Sequence, residues 1–196
     1  MRGQPAKILG GGEVRRVLGV ALRRRYPERN RVMVLLSVKA GLRACEIARL
    51  TWPMITDARG QIGTVMELSA KAAKKGSGRR MPIHPELRRA LVKLRRSSAA
   101  DNGTIVGAVV RSQRGGPMTA KTVVNWFKSI FEELGLEGCS SHSGRRTFVT
   151  RAARLIHKAG GSLRDVQELA GHRSIKTTQG YIEGDHDAQR RVVGLL

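Results

Sequence analysis

The side chains best suited to chemistry lie between Ser140 and Tyr181. His142 precedes Arg145 by three residues, and on a helix this spacing places both side chains on one face. An imidazole beside a guanidinium provides hydrogen-bond donors for a phosphate, because the guanidinium is planar and permanently charged. This pair therefore predicts an anion-binding pocket.

Tyr181 follows His172 by nine residues and is one of only two tyrosines in the chain. A phenol is a poor nucleophile at neutral pH, because its unperturbed pKa is about 10. Beside a cationic phosphate pocket it can become a covalent catalyst. Each residue also has an ordinary structural interpretation, His142 as a helix cap and Tyr181 as a half-buried helix tyrosine.

The charge of the chain indicates a polyanionic partner. Its 196 residues include 37 Lys and Arg and 15 Asp and Glu, so the formal net charge is 37 − 15 = +22. Nucleic acid is the first candidate for such a partner, although ribosomal and membrane-surface proteins share this bulk charge. Only 4% of residues are aromatic, which argues against RNA modules that stack bases on a sheet.

Cys45 and Cys139 lie far apart and outside any CxxC spacing, which favours two reduced thiols. No apolar run approaches the roughly 20 residues of a membrane-spanning helix. The N-terminus lacks the apolar core of a signal peptide. We therefore expect a cytoplasmic, nucleoid-associated protein without a membrane partner.

Hydrophobic periodicity predicts a mainly α fold with a small antiparallel β-sheet (α+β). A basic hairpin is expected from Ile62 to Ile83, with residues 74–78 (KKGSG) as its turn. The predicted helices are Glu13–Arg25 (ended by Pro27, with Val14, Val17, Leu18 and Leu22 on one side), Arg31–Lys39, Arg43–Leu50, Pro85–Arg96, one from Thr119 as N-cap through Leu134, one from Ser141 or His142 to Lys158, Leu163–Ala170, and a last helix that carries Tyr181.

Four motifs in order make the chain resemble the catalytic domain of the tyrosine recombinase (phage integrase) family. They are AGLRACEIARLTW (residues 40–52), AKKGSGRRMPI (73–83), HSGR (142–145) and GHRSIKTTQGY (171–181). The resemblance covers about residues 6–190 and implies the catalytic-domain fold of that family. We accordingly expect a lead-in over residues 1–12, the catalytic domain over 13–184 and a C-terminal tail over 185–196.

The resemblance implies DNA strand cleavage and rejoining without a metal or nucleotide cofactor. Tyr181 would attack the scissile phosphate and form a 3′-phosphotyrosyl link, with Arg43 and Arg145 stabilising the non-bridging oxygens. His142 and His172 would donate hydrogen bonds or help to move the tyrosine proton. Glu46 would orient Arg43.

A lysine of the hairpin would protonate the leaving 5′-oxygen. The family's spacing, counted back from Pro82, indicates Lys74, and a hairpin shorter by one residue would select Lys75 instead. Because neighbouring residues of a strand face opposite ways, these two side chains should point to opposite sides.

The chain departs from the family pattern in two respects. Gly144 and Ala170 stand where relatives usually carry leucine, and Glu183 stands where they often carry histidine. Most relatives also have an N-terminal DNA-clamping domain, for which 196 residues leave no room. Lack of that half of the clamp should weaken DNA binding.

The implied partners are double-stranded DNA and, on paired sites, three further copies of the chain in a tetramer. The apolar end of the tail is expected to dock on a neighbouring protomer or to fold back on its own body, and action of Tyr181 in cis or in trans stays open. A DNA-binding regulator or remnant of low activity is the main alternative. An RNA-associated protein and a type IB topoisomerase are two others.

Overall fold

The computed structural model of the protein describes residues 5–73, 78–102, 107–181 and 193–194, without the side chains of 99–102. Within these ranges the chain is mainly helical with one two-stranded antiparallel sheet, which confirms the predicted fold class. The helices are α1 (Gly11–Arg23), α2 (Pro27–Lys39), α3 (Ala44–Arg49), α4 (Pro85–Asn102), α5 (Ala120–Glu133), α6 (Ser143–Leu155), α7 (Leu163–Ala170) and α8 (Ile175–Gln179), with short 3₁₀ segments at Trp52–Met54 and Ile156–Ala159. The strands are β1 (Val65–Leu68) and β2 (Arg79–Pro82).

The sheet is the predicted hairpin, with Leu68 paired to Arg79 and Met66 paired to Met81. Strand residues alternate between the two faces of a sheet. Met66 and Met81 are therefore both buried, while Arg80 lies on the solvent face. The same alternation turns Arg79 toward the core.

Several helix boundaries differ from the sequence-based prediction, and among them α4 runs to Asn102 instead of Arg96. Pro27 does not end the first helix, because α1 already ends at Arg23 and Pro27 opens α2. Proline suits a first helical position, where no intrahelical N–H bond is lost. Tyr26 precedes it with a positive φ of 66° and makes the sharp turn between the two helices.

The buried face of α1 also differs in part. Val14 and Val17 are buried as predicted, but Val20 and Ala21 complete the face and Leu22 is exposed. Val20 lies three residues after Val17, and Ala21 lies four after Val17 and seven after Val14, so both share their side of the helix, whereas Leu22 lies about 100° around the axis from Ala21.

Helix α2 lies at the centre of the molecule. It packs against α1, α4 and α6, and its residues 32–36 are fully buried. This enclosed segment is apolar on all sides, so it shows little amphipathic periodicity. Among the described residues, no helix combines the length and apolar character needed to cross a membrane.

A second, smaller apolar cluster joins α6 to α7. It contains Val149, Ala153, Val166 and Ala170, and the half-buried Tyr181 packs against it. Tyr181 lies just beyond α8, which ends at Gln179, so the prediction that this helix carries the tyrosine is wrong. Gly180 is the C-cap, in right-handed conformation, and its N–H donates to the Lys176 carbonyl at 3.1 Å.

Helix α6 approaches α2 closely at Gly144. A Cβ atom on Gly144 would overlap Ser37 Oγ and would lie 2.9 Å from Ser37 Cβ. A side chain at this position is therefore excluded while Ser37 faces it. This contact accounts for the glycine at position 144, one residue before Arg145.

We expect Gly144→Ala to lower the free energy of unfolding by about 1–3 kcal/mol, the usual effect of overpacking. Adding Ser37→Ala should recover part of the loss, because it removes the nearest atom. Gly19→Ala, in α1 with 3.6 Å to the nearest side-chain atom, is the matched control and should stabilise the protein by up to about 1 kcal/mol. Urea denaturation measures all three, and an undiminished effect of Gly144→Ala in the double variant would contradict the contact.

Candidate active site

Arg43 and Glu46 occupy the start of α3. Arg43 is the N-cap, in extended conformation, and its backbone N–H donates to Glu46 Oε2 at 2.9 Å. Its side-chain Nη1 donates to Glu46 Oε1, also at 2.9 Å. Glu46 thus caps the helix and holds the Arg43 side chain, the supporting geometry that the first motif predicts.

The Glu46 carboxylate is fully buried and accepts four hydrogen bonds, two from Arg43 and two from Arg79. Burial alone would raise its pKa. The hydrogen bond and charge of Arg79, with those of Arg43, overcome this effect and lower the pKa from 4.5 to about 2. The group is therefore an anion at any physiological pH.

Arg79 is a site residue that the sequence analysis did not single out. Its Nη1 and Nη2 donate to the two oxygens of Glu46 at 3.2 and 3.1 Å, and its Nε donates to the Leu169 carbonyl at 3.0 Å. Its side chain is 6% exposed. The signal that could have found it is strand alternation, since Arg79 shares the face of the apolar Met81.

Arg145 joins the two ends of the site. The residue is 1% exposed, and its Nη1 and Nη2 donate to the carbonyls of Gly41 and Ala170, each at 2.7 Å. Burial and the charge of Arg43 lower its pKa from 12.5 to about 10, which leaves it protonated at neutral pH. Helix α6 thereby ties the turn before α3 to the end of α7.

The end of α7 fixes the backbone of His172. Gly171 adopts a left-handed conformation with φ 61°, and its N–H donates to the Glu168 carbonyl at 2.9 Å. The His172 N–H donates to the Gln167 carbonyl at 3.0 Å, and Gln167 Nε2 returns a bond to the His172 carbonyl at 2.9 Å. Glycine is the usual residue of such a helix end.

The His172 ring is 7% exposed, with Nδ1 2.9 Å from Thr178 Oγ1. Burial, followed by the charges of Arg145 and Arg43, lowers its pKa from 6.5 to about 4. The imidazole is therefore neutral at pH 7. Within the described ranges its buried Nε2 has no hydrogen-bond partner. A buried polar atom without a partner calls for an explanation, and a bound ligand is one.

Tyr181 covers this histidine. The two rings stack with centroids 5.3 Å apart and planes 25° apart. The Arg146 guanidinium lies 5.9 Å from the tyrosine ring centre, and Thr150 Oγ1 donates to the Tyr181 carbonyl at 3.0 Å. Helix α6 therefore supplies contacts that keep the phenol beside the cationic cluster.

His142 lies at the N-cap of α6, with an exposed side chain and its N–H donating to Ser140 Oγ at 3.2 Å. The capping interpretation fits its position but not its side chain, which makes no cap hydrogen bond. The prediction placed His142 and Arg145 on one face of a helix. In the structure His142 precedes the first residue of α6 and is exposed, whereas Arg145 is buried. Lys74 and Lys75 lie outside the described residues.

The cluster carries excess positive charge. Arg43, Arg79 and Arg145 contribute three positive charges and Glu46 one negative charge, so with neutral His172 the sum is 3 − 1 = +2. All of these charges act on His172, and Arg145 also interacts electrostatically with Tyr181. The arrangement is suited to an anion of one or two charges held next to a phenol.

A model of the phage integrase family matches residues 7–187. Tyrosine recombinase XerC of Roseiflexus castenholzii (strain DSM 13941 / HLO8) is 30% identical over 182 residues, which are 90% of this chain and 54% of that protein. The crystal structure of XerA recombinase superimposes with a TM-score of 0.74 at 21% identity, over 98% of this chain and 66% of that one. The Tn1549 transposon integrase in complex with transposon right end DNA gives a TM-score of 0.74 at 19% identity, over 100% and 67%.

The fold is accordingly that of a recombinase catalytic domain, with the cationic cluster and its tyrosine at the junction of α3, β2, α6 and α7. The chain belongs to the phage integrase family. It spans about half the length of the XerC protein that it matches.

We expect the His172 ring to titrate near pH 4 in the DNA-free protein, because burial and three arginines disfavour its charged form. Proton NMR of the imidazole Cε1–H across pH 3.5–8 measures the midpoint, and His172→Gln assigns the signal among five histidines. Since the folded pKa lies below 6.5, the stability contributed by the neutral ring is present above pH 6.5 and is lost as pH falls toward 4. A midpoint above about pH 6, the range of ordinary histidines, would contradict this environment.

We expect Glu46→Gln to lower the free energy of unfolding at pH 7 by on the order of 3 kcal/mol, from the fall of the carboxyl pKa from 4.5 to about 2. A depressed carboxyl pKa contributes stability that is present above pH 4.5 and is lost as pH falls to 2. The difference between wild type and variant should therefore shrink over this window. Glu67→Gln, on the exposed face of β1, is the control and should follow the wild-type pH profile in urea denaturation.

Proposed function

We propose that this chain is the catalytic part of a site-specific DNA recombinase, which cuts and rejoins DNA strands through a 3′-phosphotyrosyl intermediate. A phosphodiester carries one negative charge, and the cluster around Glu46 has a surplus of two positive charges. Membership of the phage integrase family supports the reaction class. The relatives' names include tyrosine recombinase and integrase, and one solved relative is bound to transposon end DNA.

The observation that carries the proposal is the buried His172 Nε2, without a partner in the described part of the chain, beside Arg145 and under the Tyr181 ring. Arg145 can donate hydrogen bonds to an anion, the His172 imidazole can form a hydrogen bond with it, and the Tyr181 phenol can act as the nucleophile. A phosphate oxygen would satisfy the imidazole and reduce the repulsion within the cluster. Fixed donors of this kind stabilise a phosphoryl-transfer transition state without a metal.

In the proposed reaction Tyr181 Oη attacks the phosphorus and the bond to the 5′-oxygen breaks. Arg43 and Arg145 hold the two non-bridging oxygens, oriented by Glu46 and by the Gly41 and Ala170 carbonyls. His172 and His142 donate hydrogen bonds or take up the phenol proton.

The leaving 5′-oxygen receives a proton from Lys74, or from Lys75 as the alternative. A lysine suits this role because its ammonium is a proton donor on a flexible stem. The phosphotyrosyl bond conserves the phosphodiester energy, so a second 5′-hydroxyl can reverse the step and rejoin the strands without ATP. No metal or cofactor enters these steps.

The proposed partners are double-stranded DNA and further copies of this chain, as a tetramer on paired sites. The +22 net charge supports the first. Action on chromosomal DNA would place the protein in the cytoplasm at the nucleoid. Residues 13–184 would form the catalytic domain, and residues 185–196 the tail that docks on a neighbour or folds back.

We expect wild-type protein to form a covalent adduct with DNA that withstands SDS, and Tyr181→Phe to form none, because only the phenol oxygen bonds to phosphorus. Incubation with sheared genomic DNA of the source organism, SDS treatment and sequencing of the protein-bound fragments measure the reaction and identify the site. A duplex of that sequence, nicked next to the cleavage position, then traps the intermediate and gives its rate.

Tyr26→Phe is the matched control, because Tyr26 is the only other tyrosine and lies at the N-cap of α2. It should give wild-type adduct. DNA binding without any adduct would favour the alternative, a regulator or remnant on the same fold. An equal yield from Tyr181→Phe would reject Tyr181 as the nucleophile.

A further inference from the structure

Arg79, in β2, connects α3 to α7. Its Nη atoms hold both oxygens of Glu46, and its Nε holds the Leu169 carbonyl near the end of α7. One side of this guanidinium therefore faces the carboxylate that orients Arg43. The other faces the helix end from which His172 follows.

The Arg79 side chain also packs on the turn before His172. A Cβ atom on Gly171 would come within 2.9 Å of Arg79 Cδ and Nη1. Glycine at position 171 thus permits both the left-handed turn, with φ 61°, and the passage of the Arg79 side chain across it. The position of this side chain and the position of the turn depend on each other.

Arg79 and Arg145 act on adjacent carbonyls. Arg79 Nε binds the carbonyl of Leu169, and Arg145 Nη2 binds that of Ala170. The last carbonyls of a helix lack intrahelical partners and carry partial negative charge, so cations are favoured there. Two buried arginines from β2 and α6 together fix where α7 ends.

We propose that Arg79 is a positioning residue of the active site, which sets the placement of Arg43 through Glu46 and that of His172 through Leu169 and Gly171. This inference rests on the proposed recombinase function. Arg79 makes no contact with the phosphate in this scheme, because its Nε, Nη1 and Nη2 atoms all donate to protein acceptors.

Arg79→Met should slow adduct formation at saturating DNA by about 100-fold, the scale expected for misplaced catalytic groups, while DNA affinity stays within about threefold of wild type. The rate of Arg79→Lys should lie between those of Arg79→Met and wild type, because an ammonium keeps the charge but lacks the planar bidentate contact of a guanidinium with a carboxylate. Arg80→Met is the matched control, since Arg80 is the next residue of β2, 74% exposed and paired with Glu67. It should retain the wild-type rate.

Two further variants separate positioning from loss of fold. Glu46→Gln, Arg79→Met and the variant with both substitutions form a double-mutant cycle. If Arg79 acts through Glu46, the losses in the rate of adduct formation should be strongly non-additive. The double variant also leaves no unpaired buried carboxylate, so it keeps the test open if Arg79→Met alone does not fold. Thermal melts of each variant show whether it is folded at the assay temperature.

A DNA-free readout distinguishes failure of this inference from failure of the proposed function. The charge of Arg79 lowers the His172 pKa, so the NMR midpoint of His172 should rise in Arg79→Met and stay unchanged in Arg80→Met. If wild type forms no adduct with any DNA, the recombinase proposal fails and this titration still tests the placement of Arg79. A folded Arg79→Met variant with wild-type rate and wild-type titration overturns the inference, and so does a loss confined to DNA affinity, which would make Arg79 a direct phosphate contact.

Discussion

The Glu46 carboxylate is buried, and α3 and β2 are placed so that their arginines supply the hydrogen-bond donors that it needs. Isolation of an ionised carboxylate from water is costly unless opposite charges and well-aligned donors replace the solvent. Arg43 supplies two donors from the start of α3 and Arg79 supplies two from β2. A helix terminus and a hairpin that are distant in sequence are thereby held at a fixed separation, and the same carboxylate orients the Arg43 side chain.

The end of α7 also needs hydrogen-bond donors, because its last backbone carbonyls have no partners within the helix. Arg79 and Arg145 satisfy neighbouring carbonyls there, while Gly171 turns the chain toward His172. The result is a concentration of guanidinium groups around an uncharged imidazole. These groups repel one another, and a bound anion would reduce that repulsion. Such preorganisation lets donors act in a transition state without first rearranging.

Much of this arrangement follows from sequence patterns, and the exceptions have physical causes. The spacing of the four motifs indicates Arg43, Glu46, Arg145, His172 and Tyr181, and the described contacts place these five in one neighbourhood. The predicted helix boundaries are less accurate where local capping determines the end of a helix, as at Pro27 and at the end of α8. Arg79 was missed because one arginine in a chain with 37 basic residues reads as a solvated cation. The role proposed for it depends on a tertiary contact between β2 and α7, whereas strand alternation indicates only that Arg79 shares the buried face of Met81.

The tight contact between Gly144 and Ser37 has a consequence for the relation of this chain to its relatives. Because a Cβ atom at position 144 would overlap Ser37, the facing residues of α6 and the central helix α2 cannot be exchanged independently. A chimera that grafts onto this body only a segment with a larger residue at position 144 would displace the adjacent Arg145 from the carbonyls of Gly41 and Ala170. Exchange between lineages should therefore succeed only when both helices are inherited as a unit.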